Sequence, residues 1–225
     1  MSDQRLQPER GAIWDVPLRL FHWALAALIA AAWWTGEEQQ LDWHLYIGMT
    51  ILILILFRIF WGFVGGSTAR FSHFLSGPSR IKAYLTNPDD WRAIGHNPLG
   101  SLSVFALLGV ITAQVGLGLF STDNDGLMEG PLAGLVSLDM TERLTDLHES
   151  LVNVVLALIA LHIAAILYYM LRGKNLVAPM ISGNGPVPGG TEPLRKARWW
   201  VAPLCLFAAW AIAGVIWTVG TSGGG

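Results

Sequence analysis

His22, His44, His148 and His162 stand inside or at the edge of strongly apolar stretches. Imidazole is the commonest metal ligand among side chains, and an ionisable group in such a setting is costly and points to function. His148 and His162 share one run, LHESLVNVVLALIALHIAAILYYMLRGKN (147–175), and are fourteen residues apart. On a helix that spacing is a separation of roughly 21 Å and a return to within about 40° of the same face. No single ion can be held by both, so each needs a partner from another element. Zinc would want a third and a fourth ligand, and only Asp42, Asp146 and Glu149 lie near the right places. A haem wants two imidazoles on opposite faces of a flat macrocycle, which two helices of a bundle supply. An unligated imidazole, hydrogen-bonded inside a bundle or lying at the headgroup level, is the competing reading for any one of the four.

The elements that must position these residues follow from composition. Of the 225 residues 53% are hydrophobic and 13% charged, far from a soluble domain. Five apolar runs, about 17–36, 44–63, 99–120, 147–171 and 199–219, approach the ~20 residues that span a bilayer. The first follows a polar segment and lacks a small-residue cleavage site, so it reads as a retained span. The fold class expected is an all-α membrane protein: residues 1–183 carry four of its spans, 184–198 are a Gly/Pro-rich linker, and 199–225 are a fifth helix and tail. One cysteine, Cys205, excludes an intramolecular disulfide, and no CxxCH offers covalent haem attachment.

Charge sets the expected orientation. Arg5 and Arg10 precede span one; Arg70, Arg80, Lys82 and Arg92 follow span two; Lys174, Arg195, Lys196 and Arg198 follow span four; Arg19, Arg58 and Arg172 stand at adjoining helix ends. Only Arg143 falls on the other side, so the amino terminus is expected to be cytoplasmic and the carboxy terminus outside. The opposite loops are acidic, with Glu37, Glu38, Asp42, Asp123, Asp125, Glu129, Asp139, Glu142, Asp146 and Glu149. Orientation then assigns depth: His44 and His148 share the outer boundary, His22 and His162 an inner layer roughly 21 Å away. Two b-type haems, His44 with His148 and His22 with His162, are the economical reading.

Gly36, Gly48, Gly116 and Gly118 either let a wide ring approach the backbone or serve close helix packing. Arg19, Arg58 and Arg70 are candidates for haem propionates or are snorkelling side chains. Trp14, Trp33, Trp34, Trp43, Trp61, Trp199, Trp200 and Trp217 read as an interfacial girdle. His73 and His96 lie in the polar segment 64–97 and read as solvated or capping residues. That segment also contains PSRIKAYL, expected to form a short amphipathic helix.

The strings WDVPLRLFHW, HLYIGMTILILILFRIFWGFVGGSTARF, GHNPLG and LHESLVNVVLALIALHIAAILYYMLRGKNLVAPMISG, in this order over about 14–183, resemble the bacterial cytochrome b561 family, which includes the cytochrome b subunits of nickel-iron hydrogenases. The resemblance implies a four-helix bundle with two b haems, each held by a histidine pair, and ligands at His22, His44, His148 and His162. It implies electron transfer between membrane quinone and a redox partner. The fifth span and its GNGPVPGGTEP linker lie beyond the four-helix pattern.

The expected function is transmembrane electron transfer between quinone and an outer-face partner, a basic c-type cytochrome that the acidic loops would steer. Alternatives are an anchor subunit for a hydrogenase or other dehydrogenase, superoxide:quinone oxidation, which the acidic face disfavours, and a haem-free transporter with proton-relaying histidines. His96 and Asn97 are candidates for a quinone carbonyl, although HNPLG reads equally as a helix cap with Pro98 in the first turn. Span five could pair two copies as a homodimer. No triad, phosphate loop or nucleic-acid patch is apparent.

Overall fold

A computed structural model describes residues 9–87, 91, 93–123, 128–188 and 191–222; Arg5, Arg92 and Asp125 lie outside them. In chain order the elements are β1 (Glu9–Ala12), α1 (Val16–Glu37), α2 (Leu41–Val64), α3 (Phe71–Phe74), α4 (Pro78–Thr86), α5 (Pro98–Gly118), α6 (Leu138–Leu171), α7 (Val177–Ser182), β2 (Asn184–Val187) and α8 (Val201–Ser222). Five of the helices, α1, α2, α5, α6 and α8, are long and apolar enough to cross a membrane. The protein is a helical, multi-pass membrane protein. Apolar side chains such as Leu161, Leu171, Phe207 and Trp210 are left exposed, as lipid-facing residues must be.

α6 begins nine residues before the span read from hydropathy, at Leu138 rather than 147. Ser137 Oγ accepts from the Met140 amide at 3.4 Å in N-cap fashion, and Asp139 pairs with Arg143 one turn on at 3.2 Å. Polar residues end a membrane span; they do not end a helix.

Contacts divide the chain into two compact units. The first takes in the chain up to Leu20, Ile59–Phe105 and Leu161–Ala202; the second takes in Phe21–Arg58, Ala106–Ala160 and the chain from Pro203.

The first unit is organised around Asp15. Its carboxylate caps α1 by accepting from the Leu18 amide at 2.9 Å, and it accepts from Trp61 Nε1 at 3.1 Å and the Gly66 amide at 3.2 Å. A Cβ at Gly66 would strike that carboxylate, so only glycine fits there. Trp61, 2% exposed, is therefore a core residue and not part of an interfacial girdle. Trp33, Trp34, Trp43, Trp199 and Trp200 are exposed. The segment expected as linker contributes β2, which pairs antiparallel with β1 from Glu9↔Val187 to Ala12↔Asn184. Gly183, at φ 85°, turns the chain out of α7, and its carbonyl accepts from both Ile13 and Trp14 amides.

Asn97 joins three elements of this unit. Its Oδ1 accepts from the Gly100 amide at 2.7 Å, capping α5 with Pro98 at the first helical position. Its Nδ2 donates to the hydroxyls of Tyr84 on α4 (2.9 Å) and Tyr169 on α6 (3.2 Å), which contact each other at 2.9 Å. Asn97→Ala removes the cap and both donors, and is expected to destabilise the fold by about 1–3 kcal/mol. Asn97→Asp, which keeps only the acceptor, should lose less. Unfolding midpoints in detergent check this; an unchanged midpoint for Asn97→Ala would refute it.

In the second unit α8 buries Cys205, Ala209 and Ala213, a stripe of small residues at four-residue steps. Further along, Trp217 stacks on Tyr46 of α2 at 6.2 Å, and the Gly220 backbone lies against the Pro131 carbonyl with no room for a Cβ.

Candidate functional site

The turn from α1 to α2 fixes where His44 falls. The Gln40 amide bonds to the Thr35 carbonyl at 2.8 Å and the Gln39 amide to Gly36 at 3.2 Å, the paired bonds of a Schellman cap. Gln39 takes the left-handed position, φ 55°, at a cost of about 1–2 kcal/mol relative to glycine. The turn is tight enough that His44, in the first turn of α2, leans back on α1. Its Nδ1 lies 2.8 Å from the Ala32 carbonyl, and its ring rests over Gly36, where a Cβ would come within 3.3 Å.

His148 repeats the arrangement against α5. Its Nδ1 lies 2.9 Å from the Gln114 carbonyl, and its ring covers Gly118, where a Cβ would come within 2.9 Å of Cε1. In both cases an imidazole bonds to the carbonyl of residue i and covers a glycine at i+4 of the neighbouring helix. Gln114 closes a reciprocal clasp: its side-chain Nε2 donates back to the His148 carbonyl at 3.0 Å.

A carbonyl only accepts, so each Nδ1 carries the proton and each Nε2 keeps a lone pair that could serve a metal, the one on His148 lying 3.4 Å from Gln114 Nε2. The two rings meet edge-on, with centroids 6.0 Å apart and planes at 89°. Two metal–nitrogen bonds of ~2.0 Å plus the two ring radii come to roughly 6 Å. One metal ion fits between the rings. Among the described residues no cluster of three or more His, Cys, Asp or Glu is placed to hold a metal ion, so the other positions around it must come from something other than this donor set. The pair opens on a cavity of about 550 Å³ walled by α1, α2, α5, α6 and residues 119–123 and 128–131, within the range of cofactor sites. Gly48, one turn beyond His44, lines it and leaves its Cβ position open. Gly116 has open space at its Cβ position and is not in the lining; Gly118 is.

The other candidates are placed as follows. In the second unit His22 packs edge-on to Trp23 at 5.0 Å, and Arg58 is 2% exposed. In the first unit His162 Nδ1 lies 3.4 Å from Ser103 Oγ. Arg70 Nε donates to the Gly65 carbonyl at 2.9 Å, and Arg19 donates to the Ile181 carbonyl. His96 is not solvated: its ring packs between Trp14 at 4.6 Å and Phe74 at 4.7 Å. His73 is exposed. Asn97 is the α5 cap described above. Gln114 was not foreseen, yet a lone amide in the apolar string LLGVITAQVGLG is a signal of the kind that singles out intramembrane polar residues.

The family model for prokaryotic cytochrome b561 matches residues 13–183. The chain belongs to the prokaryotic cytochrome b561 family. Membership of this family of b-type cytochromes implies haem b. A probable Ni/Fe-hydrogenase B-type cytochrome subunit of Azotobacter chroococcum mcd 1 is 28% identical over 152 residues, covering 54% of this cytochrome b561 and 62% of that relative. The chain thus spans about three fifths of the length of the curated relative it matches. No solved structure matches this cytochrome b561.

Proposed function

We propose that this cytochrome b561 holds two b haems, one between His44 and His148 and one between His22 and His162, and passes electrons between membrane quinone and a basic redox protein. The meeting of the His44 and His148 rings, 6.0 Å between centres and each with its Nδ1 on a main-chain carbonyl, carries this reading. When bound, each haem supplies reversible one-electron transfer at iron. The chain does the rest. His44 and His148 present their Nε2 atoms, the Ala32 and Gln114 carbonyls hold those rings in one tautomer, and Gly36 and Gly118 let them lie against the helices. Ile51, Ile111 and Val155 are buried on the cavity wall and supply an apolar surface for a macrocycle. Arg19, Arg58 and Arg70 are the cations proposed for propionates, and His96 and Asn97 stand in the segment proposed to meet quinone.

The amino terminus is placed in the cytoplasm and the carboxy terminus in the periplasm by the distribution of arginine and lysine, in a bacterial inner membrane. On that orientation the outer end of α6 carries Asp139, Glu142, Asp146 and Glu149 at steps of three and four, an exposed acidic stripe. Such a stripe speeds the approach of a basic c-type cytochrome and repels superoxide, with a rate that falls as salt rises. The relative's name favours a second reading, an anchor that receives electrons from a hydrogenase or other dehydrogenase. Isolation in mild detergent distinguishes the two by whether a large redox subunit remains attached.

A pyridine haemochrome assay on the full-length protein should give two haems per chain. One haem per chain would reject the paired reading, and colourless protein from haem-replete cells would reject haem binding altogether.

A further inference from the structure

The first unit contains a second cavity, of about 350 Å³, and its lining is cationic. It is bounded by the first turn of α1, by Trp61, by the α7–β2 junction and by the segment that leads into α8. Arg19, Lys196 and Arg198 line it, with Asp15 as the one carboxylate. Asp15 already accepts from the Leu18 and Gly66 amides and from Trp61 Nε1. Arg19 gives one N–H to the Ile181 carbonyl, while its Nε is buried with no hydrogen-bond partner among the described residues. A buried donor of a guanidinium left in this way marks a place for an acceptor.

The cavity also has a level. The spans of α1 and α8 begin at Val16 and Val201, and Val16 and Ala202 both line it, so its mouth is at the edge of the hydrocarbon layer. Trp199, 86% exposed, stands at that mouth, and the Arg198 guanidinium lies 5.8 Å from the centre of the Trp200 ring. Indole at a span boundary belongs at headgroup height. On α1, Val16 and Leu20 are 55% and 67% exposed, an apolar surface along which an acyl chain can lie.

We propose that this cavity binds a phosphate group, that of an anionic phospholipid. Three cations against one carboxylate suit an anion, and a pocket of lysine and arginine at the membrane boundary is the form that lipid-phosphate sites take. A quinone is uncharged and would offer these three cations no counter-charge. Arg19 and Lys196 are placed to bond the phosphate oxygens, and Arg198 braces the mouth from its position against Trp200. The proposal stands apart from the histidine pairing, because none of the four histidines lines the cavity, but it gives Arg19, one of the three cations considered for propionates, to the lipid phosphate instead.

Full-length protein, purified with its haem and exchanged into detergent containing equal phosphatidylglycerol and phosphatidylcholine, is examined by native mass spectrometry. One phosphatidylglycerol per chain should be retained in preference to phosphatidylcholine. Lys196→Gln with Arg198→Gln should lower that preference roughly 25-fold, about fivefold for each cation removed. The haem absorbance spectrum and unfolding midpoint should stay unchanged, which separates lost binding from lost folding. Equal retention of the two lipids, or parental preference in the double variant, overturns the proposal. So does displacement of phosphatidylglycerol by a short-chain ubiquinone. Displacement by millimolar inorganic phosphate as effective as by short-chain phosphatidylglycerol would keep the phosphate chemistry and reject the lipid as its source.

Discussion

Alanine at His44 is expected to remove one of two haems, alanine at His148 to remove the same one, and the double variant to remove no more than either. The reasoning is geometric. With ring centres 6.0 Å apart, a haem bound between them would be held by both imidazoles, so the loss of either would remove one of the two residues that hold it. The haemochrome ratio should fall from two to one in each single variant. Because changes merely around a metal ligand cost about 10–100-fold in affinity, removing the ligand itself should bring occupancy of that site close to zero. Alanine at His22 or His162 should remove the other haem and leave this one. A double variant, His44→Ala with His148→Ala, that lost both haems would show that the two imidazoles serve different irons, and the pairing would be wrong.

The second large effect is expected from a methyl group. A Cβ at Gly118 would stand 2.9 Å from His148 Cε1 and 3.2 Å from Nδ1. The imidazole cannot retreat without stretching its bond to the Gln114 carbonyl, and Gln114 itself is tied to the His148 backbone. Gly118→Ala should therefore lower haem affinity at this site by about 10–100-fold. Gly36→Ala faces the His44 ring at 3.3 Å, a gap that a few tenths of an ångström would relieve, and its effect should be several times smaller. Gly116→Ala meets nothing within 4 Å and does not line the cavity. It should bind haem as the parent does, with a small gain in helix stability. Haem titrations of the three variants read the order directly. Equal losses at all three positions would mean that these glycines act through general helix packing, not through the imidazoles.

What the sequence made legible was the part governed by length and polarity. Five spans, the short α4 helix and the meeting of His44 with His148 follow from hydropathy, charge and a fixed rise per residue. The early start of α6 did not, because TERLTDL is polar and hydropathy reports a membrane boundary, not a helix boundary. The β1–β2 pair was hidden for another reason: NGPV contains glycine and proline, which weaken a strand signal, and its partner is more than 170 residues away. Trp61 resembled any other indole near a span end until the buried Asp15 gave its N–H a partner. Gly36 was legible as a close approach, but as the approach of a ring of unknown kind; the ring that fills it is His44. The atoms that orient the imidazoles are main-chain oxygens, and no residue letter announces them.

That last point bears on how such a protein can drift. Positions 32 and 114 offer a carbonyl whatever amino acid occupies them, so for holding the ring nitrogen they are free to vary, alanine at one and glutamine at the other in this chain. The burden of inheritance falls instead four residues later, on the absence of a side chain at 36 and 118.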